Sequence, residues 1–241
     1  GERRGTCFAL SASVALRGEG EARPSGYSYI TSLRYDLLAK EGLGQLAYER
    51  ALRKIGQRKA PSGRYTMVVD TRCVRQLLAP MVSALYGPAL HQQNSFLLNS
   101  LGKQVGSPLF TLLDEPHLIG ANGARYFDGE GVATRPMPVF DAGALRTYYI
   151  DTYSACKMKV EPTIASPSLL VLSPGEKSQE ELIADVAHGL FVTGFNGGNC
   201  NSSTGDFSYG IEGFLIEQGR LTQPVSEMVV TGNMLDLWQQ L

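Results

Sequence analysis

Histidine residues are the first candidates for chemistry in this chain, which has three of them, His91, His117 and His188. A metalloprotease helix carries two histidines on one face, one turn apart, with a glutamate between them that activates water. No two of these histidines have that spacing. His188 and Cys200 could join a metal site built from scattered residues, although a lone histidine at a helix end or a lone cysteine more often has a structural role. The sequence therefore predicts neither a catalytic residue nor a metal ligand in this chain.

Carboxylates surround His117 in residues 114–130, a segment rich in Gly, Pro, Asp and Asn. The acidic residues are Asp114, Glu115, Asp128 and Glu130. Paired carboxylates can transfer protons, but carboxylates in loops are more often solvated or capping groups. We interpret the segment as a functional or interface loop rather than a core element.

A glycine-rich run at residues 194–200, GFNGGNC, is a candidate phosphate cradle. It lacks the GK[ST] ending and the strand-to-helix context of a P-loop. A flexible loop between strands explains the run better. The chain also contains no GxSxG motif for a nucleophilic serine.

The composition is that of a globular protein: 241 residues, 43% hydrophobic and 19% charged. No apolar run is long enough to span a membrane. The four cysteines form no CxxC pair, so we expect reduced thiols in a cytoplasmic protein. The chain does not begin with Met, so we expect a longer protein whose N-terminal part, and a strand or two after Leu241, are absent from this sequence.

Charge is unevenly distributed along the chain. Residues 1–60 contain 11 Lys and Arg against 6 Asp and Glu, whereas residues 61–241 contain 11 against 17. The basic residues near the predicted helix at 42–55 are Arg50, Arg53, Lys54, Arg58 and Lys59. A solvated helix face explains them better than a nucleic-acid patch, since no aromatic residues are interleaved with them.

The N-terminal segment predicts two strands and a helix. The strands are expected at 6–17 and 25–35, joined by a turn at 18–20, and the helix at 42–55, ended by Gly56. The run at 60–63, APSG, is typical of a linker. We therefore predict a domain boundary there, with 1–59 as the end of a strand–strand–helix domain and 60–241 as a second domain.

The sequence of the second domain, residues 60–241, predicts an alternation of short helices and strands. Helices are expected at 72–86, capped by Thr71 and either kinked at Pro80 or divided there into two short helices, and at 94–105. Two more are expected after Ser178, with Glu181 in a capping box, and after Asn233. Strands are expected at 64–70, 109–113, 168–172, 190–195, 207–216, 220–225 and 227–231. Further strands at 135–140 and 145–150 flank a hairpin turn at 141–143, a second turn is expected at 218–219, and a bulge at Gly213 should switch the buried face of its strand. This pattern predicts an α+β fold with a mainly antiparallel, strongly curved or barrel-like sheet decorated by short helices.

Four ordered blocks within residues 45–235 resemble the TldD/PmbA family. The C-terminal block is GDFSYGIEGFLIEQG at 205–219, followed by PVSE at 224–227 and TGNM at 231–234. The other blocks are residues 94–105, 114–135 and 151–155. The resemblance is greatest to the PmbA branch, also called TldE. The family was long described as a modulator of DNA gyrase and is understood as a two-subunit zinc metalloprotease system.

The resemblance implies that zinc belongs to the other, TldD-type subunit. In TldD-type relatives an HExxxH helix follows a short strand and a pair of leucines. The corresponding helix here, 72–86, has Ala79 and Ala84 at the ligand positions and Pro80 in place of the glutamate. No cofactor is therefore expected in this chain. Residues 156–164, CKMKVEPTI, depart from the glycine-rich run of relatives, which leaves shared substrate contacts in that segment open.

A substrate-binding role follows from the same resemblance. We expect an unfolded peptide to pair with an exposed edge strand, and the candidate binding residues are Asn196, Gly197, Gly198, Asn199, Asp206 and His117. The expected partner is a TldD-like subunit or a second copy of this chain. Two alternatives remain open: an independent peptidase or hydrolase with an unrecognised site around His117 or Cys200, and an interaction protein linked to DNA gyrase modulation.

Overall fold

The structure, a computed structural model, describes residues 2, 4–17 and 23–241. The N-terminal layer is an antiparallel pair, β1 (Phe8–Ala15) and β2 (Ser25–Ser32), with helix α1 (Leu43–Leu52) packed on one face. Gly26 lets the helix approach closely, because a Cβ there would lie 2.0 Å from the Ala47 carbonyl oxygen. Both strands and the helix are confirmed, with shorter bounds than predicted. The predicted turn at 18–20 lies outside the described residues.

The first sheet contains the long C-terminal hairpins. Its order is β10 (Arg220–Asn233), β9 (Asp206–Glu217), β8 (His188–Cys200) and β3 (Thr66–Val69). Only the β3–β8 pair of this sheet is parallel. The predicted turn at Gln218 and Gly219 is confirmed, since both residues have the positive φ (50° and 73°) that a tight hairpin requires.

The bulge predicted at Gly213 of β9 lies instead in the two strands that pair with β9. Pairing shifts opposite this residue in both neighbours, at Val192/Gly194 of β8 and at Val225/Met228 of β10. Gly213 itself is needed for close approach, because a Cβ there would lie 1.9 Å from the Phe191 carbonyl oxygen. The buried face does not switch either. Beyond Gly213 both faces of β9 are covered, with Phe214 and Leu215 in different apolar clusters.

The helix predicted at 72–86 is confirmed as α2 (Val74–Ser83), with shorter bounds, and a short helix that was not predicted, α3 (Gly87–His91), follows it. Pro80 lies in the last turn of α2 and does not divide it into two helices. Thr71 does not cap the helix. The residue at the N-cap position is Cys73, whose side chain makes no capping hydrogen bond, and the backbone N–H of Arg72 donates instead to Asp70 Oδ1 at 2.9 Å.

The second sheet is small and antiparallel, in the order β6 (Ala144–Leu145), β5 (Met137–Asp141), β4 (Leu112–Asp114) and β7 (Leu170–Leu172). Its hairpin turn at Ala142 and Gly143 is confirmed, with φ of 46° and 80°. The helix predicted at 94–105 is wrong. These residues form successive turns, because Asn99 and Gly102 adopt left-handed φ values of 57° and 80°.

Three further helices complete the fold: α4 (Thr152–Met158), α5 (Gln179–Ala184) and α6 (Met234–Gln239). The capping box of Ser178 and Glu181 is present in both directions, and Asn233 accepts from the Leu235 N–H, as predicted. The largest core cluster joins α2, α6 and both four-stranded sheets. At its centre the Phe110 ring lies 4.3 Å from Trp238 and 4.7 Å from Phe140, an arrangement that stabilises aromatic packing.

The α+β class is confirmed, but a barrel is not. Within the described ranges the strands form one two-stranded and two four-stranded sheets, each with open edges. The domain boundary at residue 60 stays a prediction. Residues just before it are tied to β10, since the Arg58 N–H donates to the Pro224 carbonyl at 3.1 Å.

The close approach at Gly213 gives the first testable prediction. Gly213→Ala should destabilise the fold by about 1–3 kcal/mol, because the added methyl group must displace the backbone of β8. Gly175→Ala is the control, since nothing lies within 4 Å of a Cβ at that position. Urea unfolding should show a lower midpoint for the first variant and a change within about 0.5 kcal/mol for the second. Equal midpoints would contradict the close approach.

Candidate functional site

A groove between α2 and the β8–β9 hairpin is the candidate functional site. We call it the α2 groove, and its cavity volume is about 280 Å³. It is lined by Gln76, Ala79, Pro80, Ser83, Ala84, Phe96, Cys200, Ser202 and Tyr209. Both features singled out in the sequence, the helix without histidines and the glycine-rich run, therefore meet at one place.

The apolar stripe of α2 determines which side chains face the groove. Leu77 and Met81 are buried in the main core, as is Leu85 just beyond the helix. This burial turns the opposite side, with Ala79 and Pro80, toward the groove. Neither side chain has an atom that can ligate a metal or accept a proton. Across the described ranges, no three His, Cys, Asp or Glu side chains are grouped so that they could hold a metal ion.

The opposite wall of the α2 groove is the end of the β8–β9 hairpin, where the sequence-based prediction was wrong. Residues 194–200 are not a flexible loop, since β8 extends through Cys200 and leaves only residues 201–205 as a turn. One side chain, that of Asn94, and one backbone N–H, that of Phe96, hold that turn. Asn94 Oδ1 accepts from the hydroxyls of Ser202 at 2.7 Å and Ser203 at 2.5 Å, while the Phe96 N–H donates to the Ser202 carbonyl at 2.9 Å.

Five of the six predicted binding residues lie on this hairpin. Asn196 to Asn199 are exposed on β8, where the pairing with β9 shifts between Asn196 and Gly198. Asp206 begins β9, and its carboxylate accepts from the side chains of Asn233 and Thr204. These hydrogen bonds, Asn233 first, hold the pKa of Asp206 below its usual range. Asp206 therefore orders the turn.

His117, the sixth predicted residue, belongs to a different part of the molecule. Its Nε2 lies 3.3 Å from the Thr134 hydroxyl and its ring 5.3 Å from Tyr126. Among the described side chains, no hydrogen bond or ring contact joins it to the hairpin residues. A role for His117 in the same site stays a prediction without geometric support.

The carboxylates of Asp114 and Asp128, near His117, accept hydrogen bonds from backbone N–H groups and so hold the surrounding chain in place. Asp114 is fully buried and accepts from the N–H groups of Ser168 and Leu169. Asp128 accepts from three backbone N–H groups, those of Glu130, Val132 and Ala165. Asp128 thus has the capping role that the sequence favoured for these carboxylates, whereas Asp114 lies at the buried end of β4 rather than in a loop.

A metal site shared by His188 and Cys200 is wrong on geometry. The two residues occupy opposite ends of β8, on the order of 40 Å apart at about 3.3 Å per residue. His188 packs against Tyr65, with ring centroids 5.0 Å apart. Burial, and then the charge of Asp206, raise the pKa of the Cys200 thiol, which disfavours the thiolate that a nucleophile needs. All four cysteines are free.

An exposed strand edge adjoins the α2 groove. β3 pairs only with residues 189–192 of β8, and the Asp70 N–H then donates to the Val192 carbonyl at 2.9 Å. Cys73 Sγ lies 2.9 Å from the Thr193 carbonyl oxygen. From residue 194 to residue 200, β8 pairs with β9 and with no other described strand. We call residues 194–200 the free edge of β8. Such an edge is a template for a further strand.

A larger cavity, of about 1190 Å³, lies beside the second sheet. Its lining includes Leu98, Tyr148, Met158 and Ile164, and it is mainly apolar. The α2 groove is smaller, yet it combines a cavity with an open backbone edge. We therefore prefer it as the site. Sequence reasoning missed Phe96 and Tyr209 as groove residues and Asn94 as the side chain that holds the hairpin turn, although the blocks at 94–105 and 205–219 carry part of the family resemblance.

No helix in the described part of the chain has the length and apolar character needed to cross a bilayer.

Comparisons with known proteins agree on one family. The family described as PmbA/TldA metallopeptidase C-terminal domain matches residues 62–241. A metalloprotease PmbA homolog of Buchnera aphidicola is 30% identical over 218 residues, which cover 89% of this chain and 49% of the relative. Metalloprotease PmbA of Escherichia coli O157:H7 is 29% identical over 240 residues, covering 98% and 53%. The chain thus spans about half the length of these curated relatives.

A solved structure is similar over nearly the whole of this chain. A Bacteroides thetaiotaomicron protein, described as a proposed modulator of DNA gyrase, superposes with a TM-score of 0.97 at 61% identity. The match covers 99% of this chain and 55% of the other.

The buried carboxylate of Asp128 predicts a pH dependence of stability. Burial alone would raise its pKa, but hydrogen bonds from Ala165, Val132 and Glu130 outweigh burial and lower the pKa. Because the unfolded value is about 3.9, the stabilisation is complete above that pH and is lost as the pH falls through the lower folded pKa. The denaturation midpoint of the unchanged protein should therefore drop steeply in acid.

Asp128→Asn should flatten that drop and cost about 1–3 kcal/mol at neutral pH, since an amide replaces an acceptor of backbone N–H groups. Asp141→Asn is the control, because the Asp141 side chain is 53% exposed and, among the residues that the structure describes, forms an ion pair with Arg146 alone. Denaturant unfolding between about pH 5 and pH 2 measures both. A slope that is identical in all three proteins would contradict the prediction.

Proposed function

The chain belongs to the PmbA/TldD family, and we propose that it acts as the TldE-type subunit of a two-subunit metalloprotease system, holding unfolded peptide for a zinc-bearing partner. One observation carries the proposal: the free edge of β8 lies beside the face of α2 where a zinc subunit would have its ligands. Here the corresponding positions are Ala79, Pro80 and Ala84, all of which line the groove. We infer that the site binds a peptide and leaves its cleavage to another subunit.

Strand addition is the proposed mode of binding. A peptide that pairs with the free edge gains backbone hydrogen bonds that do not depend on its sequence. At about 3.3 Å per residue, the seven residues 194–200 present roughly 23 Å of edge. The α2 groove then receives side chains of the bound peptide against Phe96 and Tyr209. Recognition of this kind suits unfolded chains of varied sequence.

Hydrolysis is assigned to the partner. Zinc in a TldD-type subunit would polarise the peptide carbonyl and activate water. This chain would orient the peptide and shield one side of it from solvent. We propose a TldD-like subunit as the partner, or a second copy of this chain in a homo-oligomer, and a cytoplasmic location.

No specific observation favours an independent hydrolase or a gyrase-linked interaction protein. The Cys200 thiol has a raised pKa, and His117 lies apart from the groove beside Thr134. The association with DNA gyrase comes from the description of the Bacteroides protein alone. No feature of the described residues adds support for that association.

Metal content tests the proposal that the partner carries the zinc and this chain does not. The complete protein, purified away from any partner, should contain no stoichiometric zinc by elemental analysis, because alanines occupy both positions that correspond to zinc ligands. A TldD-type subunit measured in parallel is the positive control. One tightly held zinc per chain would mean that other residues build a site, and the independent enzyme would then be the better explanation.

Filling the α2 groove tests substrate binding. Ala79 is exposed and lines the groove, so Ala79→Trp should block it and reduce peptide cleavage by the mixed complex at least about tenfold. Ala79→Ser, which adds one hydroxyl at the same position, should leave the rate unchanged. The initial rate of cleavage of an unfolded peptide measures both. Full activity of the tryptophan variant in an intact complex would contradict the proposal.

A further inference from the structure

A second cavity lies between α1 and the face of the first sheet that carries Phe191 and Phe214. We call it the basic pocket, and its volume is about 380 Å³. Its charged lining residues are Arg50, Arg53, Lys54, Arg72, Asp70 and Glu212. Four cations and two carboxylates leave an excess of two positive charges. Tyr27 and Tyr29 form part of the rim, with their rings stacked 5.8 Å apart.

The two carboxylates of the pocket are already engaged. Arg72 forms a two-pronged pair with Asp70, at 2.8 and 2.5 Å. Lys54 Nζ lies 2.6 Å from Glu212 Oε1, and these side chains are only 15% and 20% exposed. The matched pairs therefore fix the walls of the pocket and contribute no net charge.

The excess charge comes from Arg50 and Arg53. Arg50 donates to the Tyr27 backbone carbonyl at 2.7 Å, and the Arg53 guanidinium lies 5.0 Å from the centre of the Phe214 ring. Among the described residues neither guanidinium has a carboxylate within 4.0 Å. Burial, and then the positive charge of Arg72, lower the pKa of Arg50. Positive charge is thus concentrated in a partly dehydrated cavity, which favours an incoming anion.

The position of the pocket connects it with the site described above. Cys73 and Thr193 also line it, and these residues meet where β3 stops covering β8, at the start of the free edge. A peptide paired with the free edge would therefore have one end beside the basic pocket and its other end beside the α2 groove. The two cavities lie near opposite ends of the same seven-residue edge.

We propose that the basic pocket binds a carboxylate of the edge-bound peptide, either an Asp or Glu side chain or the chain terminus, through Arg50 and Arg53. The inference rests on the proposed function, whose substrate it specifies as peptides with an acidic group at one end of the paired segment. Planar guanidinium groups suit this role because they can donate two parallel hydrogen bonds to a carboxylate.

The pocket also corrects, for Arg50 and Lys54, the interpretation of the basic residues as a solvated helix face; Arg53, Arg58 and Lys59 are exposed as that interpretation expects. Arg50 and Lys54 are half-buried against the sheet. A nucleic acid would need a basic stripe along which its backbone could run, whereas this charge is confined to a cavity of about 380 Å³. A carboxylate fits that confinement better.

A set of capped peptides about eight residues long tests the proposal. Each carries one Glu at a different position of an uncharged sequence, and each has a Gln counterpart. Fluorescence anisotropy with the complete protein should show one position at which Glu binds about tenfold more tightly than Gln. In the Arg50→Gln, Arg53→Gln double variant that preference should fall below about twofold, while the Gln peptides bind as before.

Three controls keep the result interpretable. Arg64→Gln with Arg220→Gln removes the same charge outside the pocket and should retain the preference. Arg53→Gln alone changes an exposed side chain and should lose part of the preference even if the double variant fails to fold. Inorganic phosphate should compete with the favoured Glu peptide on the unchanged protein but should not weaken the Gln peptides.

Several results would overturn the inference. If Gln and Glu peptides bind equally at every position, the carboxylate inference fails while peptide binding stands. If no peptide binds, but phosphate raises the melting temperature of the unchanged protein and not of the double variant, the pocket takes a free anion, and both the inference and the proposed function fail. An oligonucleotide that binds the unchanged protein but not the double variant, with peptide binding unaffected, would assign the pocket to nucleic acid.

Discussion

The difference in length between two neighbouring strands determines how this molecule can bind. β8 has 13 residues and β3 has four, so most of β8 lacks a neighbour on one side within the described structure. Backbone N–H and C=O groups along such an edge must be satisfied by water or by another chain. Two contacts hold this edge in place: the close approach of Gly213 on β9 to Phe191 on β8, and the hydrogen bonds of the Asn94 side chain to the hairpin turn.

Charged residues divide into two groups that the sequence does not distinguish. The carboxylates of Asp114 and Asp128, which look like acid–base candidates, are occupied by backbone N–H groups. Arg50 and Arg53, which look like solvated side chains of an amphipathic helix, instead surround a cavity. The difference arises from tertiary packing, because a carboxylate in a buried loop must be fully hydrogen-bonded, whereas a guanidinium at a cavity rim remains open to a ligand.

Local chemistry was the predictable part of the fold. The capping box at Ser178 and the cap at Asn233 depend on side chains within three residues, and both are present. Predictions failed where distant contacts decide the conformation. Residues 94–105 form turns instead of a helix, and residues 194–200 continue a strand because β9 pairs with them across the hairpin. For the site, the helix without ligands was found from the family resemblance, but its meeting with the free edge required the tertiary structure.

Backbone pairing alone leaves one property of a bound peptide undetermined, namely its register. A shift by one residue preserves the hydrogen bonds of a strand yet moves every side chain to the other face. Something other than the edge must therefore fix which peptide bond lies opposite α2. A charged anchor at one end would do so, since moving a carboxylate away from Arg50 and Arg53 loses its charge-assisted hydrogen bonds. An edge tolerant of sequence and a pocket selective for charge would together place one peptide bond beside Ala79, where a partner's zinc could reach it.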